Sequence, residues 1–297
     1  MRYELDQIIK FFPKRFQNSH KGTFGRVLNI SGSLNYSGAA ILSSLAALKS
    51  GAGYMTLACP DVIVKSIASY SPDITFMPLK SSVDGSISKE NTNSVLNTIK
   101  DFDVISIGSG LTTNKETKSF VLEILKNVEK PIVIDADALN ILALENIKNI
   151  PKNSIITPHP KELSRLLKVS VEEIQANREK FAIIGAEKYN TVMVLKGHET
   201  VVTDGKNIYI NKTGNSALAK AGSGDVLTGI TAGIAAQMKN IKLENYLFFV
   251  ATNSVFLHGL AGELASKDLT EYSVLASEQI KYISQAIKNT FNLIENR

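Results

Sequence analysis

The chain has 297 residues, 44% of them hydrophobic and 21% charged, which is material for one large α/β domain or two small ones. Its net charge of +5 is interleaved rather than gathered into a basic block, which argues against a nucleic-acid surface, and its one cysteine excludes an intrachain disulfide and a cysteine-rich metal site. The opening residues lack a signal-like apolar core, and the longest apolar stretch, around residues 39–48, contains Ser43 and Ser44 and falls short of the ~20 residues of a membrane span, so a cytoplasmic protein without a membrane partner is expected.

In chain order, short runs rich in Val and Ile alternate with helical patterns. A polar loop, His20-Lys21-Gly22-Thr23-Phe24-Gly25-Arg26, feeds a strand over residues 27–31, and a helix follows over 38–50. The next strand, 55–58, leads into Cys59, which reads as a small buried hydrophobe. Then come a helix at 91–100, a strand at 104–107, a helix at 115–128 and strands at 132–135 and 155–157. Helices at 161–167 and 171–189 precede a strand at 192–195. These nearly continuous apolar runs suit parallel strands covered on both faces, and their alternation with helices predicts a doubly wound, mostly parallel α/β sheet. After Gly197 the rhythm changes: residues 199–203 and 207–210 flank Asp204-Gly205-Lys206 as a hairpin, and helices over 225–238, 246–265 and 277–293 follow. No linker or repeat divides the chain, so a single domain over 1–297 is expected.

Five strand exits carry polar or glycine-rich residues: Ser31-Gly32-Ser33, Gly108-Ser109-Gly110, Asp135-Ala136-Asp137, Thr157-Pro158-His159-Pro160 and Lys196-Gly197-His198. Ligands of such sheets bind beyond the carboxyl ends of the strands, so the five are expected on one face. Gly108-Ser109-Gly110 would let a ligand approach the backbone. Asp135 and Asp137 can organise Mg²⁺ through water, but a helix cap is the preferred role for Asp137, while Asp135 stays open. His159, fixed between two prolines, suits substrate contact; Glu162 suits the N-terminal helix dipole. Lys196 can pair with phosphate, or the segment around it is a plain exposed turn.

The most informative run is Gly222-Ser223-Gly224-Asp225, preceded by the long polar loop 211–221 and followed by a strongly helical segment. A glycine turn capped by an acid accounts for it as a structural feature. As a site, the backbone N–H groups of Gly222, Ser223 and Gly224 would hold an anion at a helix N-terminus, with Asp225 beside it as a base. Neither a P-loop nor a Gly-x-Gly-x-x-Gly pattern stands where a first strand needs it. His258 lies in a helical apolar pattern and is read as structural.

Taken in order, His20-Lys21-Gly22, Ser37-Gly38-Ala39-Ala40, Gly108-Ser109-Gly110-Leu111, Asp135-Ala136-Asp137-Ala138-Leu139, Thr157-Pro158-His159-Pro160-Lys161-Glu162, Lys196-Gly197, Asn211-Lys212-Thr213-Gly214-Asn215 and Gly222-Ser223-Gly224-Asp225 resemble the ADP/ATP-dependent NAD(P)H-hydrate dehydratases, the ribokinase-like YjeF C-terminal family. Two positions depart from it: Ser223 stands where threonine is frequent, and Lys212 where proline is. The resemblance implies a ribokinase-like fold and dehydration of the S epimer of NADHX or NADPHX back to NADH or NADPH, a metabolite repair. The route it implies is phosphorylation of the C6 hydroxyl and loss of phosphate, with Mg²⁺, and with ADP favoured over ATP as cosubstrate. Carried over residue by residue, Ala40, Gly110, His159 and Asp225 would contact the hydrated nicotinamide nucleotide. Lys196, Gly197, His198, Glu199, Thr200 and Gly224 would contact the adenine nucleotide, and Asp225 would be the base. The same resemblance implies a homotetramer, for which the apolar helix around 39–48 offers a contact, and no N-terminal epimerase domain. Two other readings compete: a ribokinase-like kinase of a vitamin precursor or similar alcohol, and a non-catalytic nucleotide-binding module.

Overall fold

The computed structural model describes residues 1–295. After β1 (Arg2–Tyr3) and α1 (Leu5–Ile9), the chain enters β2 (Arg26–Ile30), α2 (Ser37–Lys49), β3 (Tyr54–Pro60), α3 (Asp61–Tyr70) and β4 (Thr75–Leu79). It continues through α4 (Thr92–Ile99), β5 (Val104–Ile107), α5 (Lys115–Asn127), β6 (Ile132–Ile134), α6 (Ala136–Leu144), β7 (Ser154–Ile156), α7 (Pro160–Leu167), α8 (Val171–Ala176) and α9 (Arg178–Tyr189). Last come β8 (Val192–Leu195), β9 (Val201–Thr203), β10 (Ile208–Ile210), α10 (Ser223–Gln237), α11 (Tyr246–Ser273) and α12 (Ala276–Glu295).

The ten strands form one sheet in the order β1-β10-β9-β8-β7-β6-β5-β2-β3-β4. Only β9 runs against its neighbours, β8 and β10, so the hairpin sits beside an otherwise parallel sheet, as expected. Side chains alternate between two cores. Val104, Val133, Ile155, Val192 and Val194 enter one core with α2, α10, α11 and α12; Ile105, Ile132, Ile134, Ile156 and Met193 enter the other with α5, α6, α7 and α9. Burial on both faces is why these strands read as continuous apolar runs.

Beneath β2 and β5 the first core carries one polar cluster, and it is fully paired. Asn29 Nδ2 donates to Ser43 Oγ (2.8 Å) and Ser44 Oγ (3.0 Å), while Ser106 Oγ donates to Asn29 Oδ1 (2.9 Å). The serines that interrupt the apolar pattern of α2 therefore face the sheet. The other side of α2 lies against α10 so closely that a Cβ at Gly229 would stand 2.1 Å from the Ser43 carbonyl oxygen. Much of the helix expected as a subunit contact is thus covered within the chain. α11 is long and apolar enough to cross a membrane, but most of that stretch is buried against α10, α12 and the sheet.

Besides β1, α1 and α3, which the sequence pattern does not foretell, three features depart from the sequence expectation. β4 is an edge strand, Thr75-Phe76-Met77-Pro78-Leu79, where a proline is tolerated because one side of the ladder is unpaired. The helix expected over 171–189 breaks at Asn177 (φ −143°, ψ 53°) into α8 and α9. α11 runs eight residues past its expected end at 265 and kinks at Thr270 (φ 65°).

Candidate active site

Strand alternation itself delivers the first functional layer. One residue beyond β6, β7 and β8, the side chains of Asp135, Thr157 and Lys196 continue the rows of Val133, Ile155 and Val194, so they face α10. Lys196 Nζ donates to Asp135 Oδ1 at 2.7 Å, and Thr228 Oγ1, one turn into α10, donates to Asp135 Oδ2 at 2.8 Å. Asp135 is only 1% exposed. Burial alone would raise its pKa, but the Lys196 ammonium and these hydrogen bonds hold it below the usual carboxylate range. Burial would likewise lower Lys196, yet Asp135 and then Glu162 keep it above its ordinary value. Both groups are charged, and the pair locks the exits of β6 and β8 to α10.

α10 begins at Gly222, whose φ of 91° is a left-handed conformation that suits glycine. A Cβ on Gly224 would lie 3.4 Å from Lys196 Nζ, so the ammonium sits against the first turn of the helix. The N–H groups of Gly222, Gly224 and Asp225 have no partner among the described residues. The N–H of Ser223 does: it donates to the Lys220 carbonyl oxygen (3.2 Å). Ser223 therefore leaves the expected set of backbone donors, because the tight turn into α10 uses that group internally.

Asp225 is the first carboxylate inside this helix. Burial, reinforced by the charge of Asp135, pushes its pKa up to about 6; Ser109 and Lys196 pull against that. The Ser109 hydroxyl stands beside it outside hydrogen-bonding geometry. A carboxylate at about 6 is ionised near neutral pH and still basic enough to take a proton from an alcohol.

His159 caps α7 through a reciprocal pair. The Glu162 N–H donates to His159 Nδ1 (3.2 Å), and the His159 N–H donates to Glu162 Oε2 (2.8 Å). Burial and the Lys196 charge keep His159 below its ordinary pKa. Glu162 does more than meet the helix dipole. It is 5% exposed, its Oε2 lies 3.9 Å from Lys196 Nζ, and burial pushes its carboxyl up to about 7. Asp135 and Asp137, expected to organise Mg²⁺ through water or to cap α6, are both engaged with protein groups. Both Asp135 oxygens are occupied as above, and Asp137 Oδ2 accepts the Thr112 N–H (2.8 Å) while Oδ1 accepts from Asn140 Nδ2 (3.3 Å). Asp137 does not cap α6; Asp135 holds the cap position, and its side chain is turned to Lys196 instead.

The remaining expected contacts spread around this centre. Ala40 is fully buried beneath Gly32, and Gly110 faces Tyr36 and Ala39 across the β5 exit. Gly197, His198 and Glu199 form an exposed loop after β8, with Thr200 Oγ1 donating to the Gly197 carbonyl (2.9 Å). Arg178 braces that loop by donating to the carbonyls of Leu195 (3.0 Å) and Lys196 (3.3 Å). A groove of about 370 Å³ passes Arg178 and Glu199. A larger one, about 1000 Å³, does not contain Asp225; it runs between the loop of Asn215 and Lys220 and the end of α11. His20-Lys21-Gly22 lies at the opposite end of the sheet, where Lys239 Nζ donates to the Gly22 carbonyl (2.9 Å) and to Asp103 Oδ2 (2.9 Å).

Glu162, Thr228 and Arg178 stand at the site without a sequence pattern that marks them for it, whereas Ser31 and Ser33 belong to one of the expected exits. The hydroxyls of these two serines are buried without a hydrogen-bond partner among the described residues, at the exit of β2. Native proteins pair most such groups, so this unpaired couple at a strand exit is free to meet a polar ligand. No sequence signal marked Arg178, because residues 171–189 read as one helix and the break at Asn177 is visible only in the structure.

A general base, a lysine and free N–H groups converging at a helix N-terminus suit transfer of an anionic group to an alcohol. Comparison with known proteins identifies the family. Residues 27–285 match the family model described as NAD(P)H-hydrate dehydratase. The chain is 33% identical to the ADP-dependent (S)-NAD(P)H-hydrate dehydratase of Bacillus subtilis over 90% of each chain. It is 36% identical to a bifunctional NAD(P)H-hydrate repair enzyme of Moorella thermoacetica over 95% of this chain but 53% of that one. The chain thus spans about half the length of the first curated relatives it matches. A crystal structure of the ADP/ATP-dependent NAD(P)H-hydrate dehydratase from Bacillus subtilis, co-crystallised with ATP/Mg²⁺, superposes with a TM-score of 0.79 at 30% identity, covering 96% of this chain and 97% of that one. The ribokinase-like architecture is borne out.

Proposed function

The chain belongs to the NAD(P)H-hydrate dehydratase family, and from that premise we propose that it dehydrates the S epimer of NADHX or NADPHX to NADH or NADPH, using a nucleotide phosphoryl group. The observation that carries the reading is Asp225, ionised near neutrality, placed one residue from Gly224 and its neighbouring Lys196 ammonium. Hydroxide is a poor leaving group, so direct loss of water from the hydrated ring is slow. Asp225 accepts the proton of the C6 hydroxyl as that oxygen attacks the terminal phosphoryl group of the donor. The N–H groups of Gly222 and Gly224 and the Lys196 ammonium stabilise the charge on the moving group. Phosphate then leaves C6 as the ring-nitrogen lone pair pushes in, and a proton lost from C5 completes the double bond.

Mg²⁺ fits the site through hard oxygen donors. Mg²⁺ at such sites is held chiefly by phosphates and water with one or two carboxylates, and among the described residues no cluster of three ligating side chains exists. Asp135, Asp137 and Glu162 are the carboxylates at these strand exits from which those ligands would come. When bound, the ion neutralises donor phosphate charge. ADP is the favoured donor, supported by the name of the Bacillus subtilis relative. The adenine nucleotide would meet Lys196 to Thr200 and Gly224, and the hydrated ring would meet Ala40, Gly110, His159 and Asp225. The whole chain acts as one catalytic domain in this reading, assembled as a tetramer, which light scattering would measure.

The test is absorbance of the reduced nicotinamide after mixing the protein with NADHX, Mg²⁺ and either ADP or ATP. Recovery with one nucleotide, together with free phosphate, is expected. A stable phosphorylated product without recovery would instead make the protein a small-molecule kinase, and nucleotide binding with no phosphate release a binding module.

A further inference from the structure

Ser223 has its N–H committed to Lys220, yet its side chain is buried at the mouth of α10 and meets His258 of α11. His258 Nε2 lies 3.0 Å from the Ser223 carbonyl oxygen and 3.1 Å from Ser223 Oγ. A carbonyl oxygen only accepts, so the ring proton resides on Nε2. Burial pushes the imidazole down to about 4, which keeps it neutral and leaves Nδ1 bare. The one Nε2–H is therefore shared between two oxygens of the same residue, and Ser223 Oγ is an acceptor in that contact. The hydroxyl proton of Ser223 is left for a different acceptor. On either side of it, Gly222 and Gly224 present free N–H groups, and Lys196 presents its ammonium beyond. His258 is itself anchored, because Gln279 Nε2 of α12 donates to its carbonyl oxygen (2.9 Å).

We propose that Ser223 joins the phosphoryl-binding turn through its hydroxyl rather than its backbone, and that His258 is the positioning residue that turns this hydroxyl toward the transferred group. The proposal rests on the phosphoryl-transfer reading above. Ser223 donates a hydrogen bond to a phosphoryl oxygen and forms no covalent bond, so nothing in the stoichiometry changes. Threonine at this position keeps the hydroxyl, whereas alanine removes it.

The experiment compares wild type, Ser223→Ala, Ser223→Thr, His258→Ala, His258→Gln and the Ser223→Ala/His258→Ala pair, with NADHX and ADP, alongside thermal melts. Ser223→Ala is expected to lower kcat on the order of 10²-fold with KM for NADHX unchanged, as loss of one charge-stabilising donor does elsewhere. Ser223→Thr retains most of kcat. His258→Ala matches Ser223→Ala, and the double variant is no slower than Ser223→Ala alone, because both changes remove one contact. Should His258→Ala melt early, His258→Gln, made with and without Ser223→Ala, completes the same cycle. Wild-type kcat in Ser223→Ala, or multiplied losses in the double variant, overturns the inference alone. A wild-type protein that fails to dehydrate NADHX with either ADP or ATP overturns the dehydratase reading and this inference together.

Discussion

Replacing Asp225 with asparagine separates what the carboxylate does for the reaction from what it costs the fold. The carboxyl is lifted from 3.8 to about 6, chiefly by burial and next by the Asp135 charge. A raised folded-state pKa means the native protein binds the proton more tightly than the unfolded chain does. Holding the ionised form in the fold thus costs on the order of 3 kcal/mol, an upper bound for a partly exposed group. The penalty is absent below about pH 4, grows as pH rises from 4 to 6, and is complete above 6. An asparagine side chain would keep the shape without the charge. Asp225→Asn is therefore expected to be more stable than wild type at pH 8, by about 1 to 3 kcal/mol, and equal to it near pH 3.5. Turnover should fall by about 10² to 10⁴-fold, the usual worth of a positioned base. Urea titrations of both proteins at the two pH values measure the first effect, and NADHX turnover measures the second. A variant that is less stable at pH 8, or equally more stable at both pH values, would refute the electrostatic reasoning. An active variant would refute the assignment of the base.

Other consequences follow from the same geometry. Lys196→Met leaves Asp135 buried and unpaired, so a loss of about 3 to 5 kcal/mol is expected from chemical denaturation, with weaker ADP binding by calorimetry. Thr228→Val removes a hydrogen bond to that carboxylate inside the core and should lower stability by about 1 to 3 kcal/mol, read by the same denaturation. Gly222→Ala forces a side chain into a left-handed turn with Leu42 Cδ1 2.6 Å from the new Cβ. It should cost at least about 1 kcal/mol in melting experiments and depress kcat more than KM for NADHX, because the turn is displaced.

Strand and helix alternation told the fold class directly, since each parallel strand buried on both faces must read as an apolar run. It also told which residues stand at the strand exits, and the Gly222-Ser223-Gly224-Asp225 run marked a candidate anion site from local chemistry alone. Edge elements were harder. β4 carries Pro78 and exposed positions, and β1 is two residues long, so neither leaves a periodic signal. Partnerships across the sheet were illegible for a different reason. Nothing in the chain links Lys196 to Asp135, 61 residues away, or Thr228 to Asp135, 93 away, until the strand order makes their exits neighbours. The same holds for Ser223, whose N–H is consumed by a turn and whose hydroxyl meets a histidine on another helix. His20-Lys21-Gly22 shows the converse, a polar loop like the others in sequence that the topology carries to the far end of the sheet. Local sequence decides which groups are available at each strand end, because backbone periodicity is short-ranged. Which of them share a charge, a proton or a ligand depends on distances of a few ångströms between segments far apart in the chain, and only tertiary packing sets those.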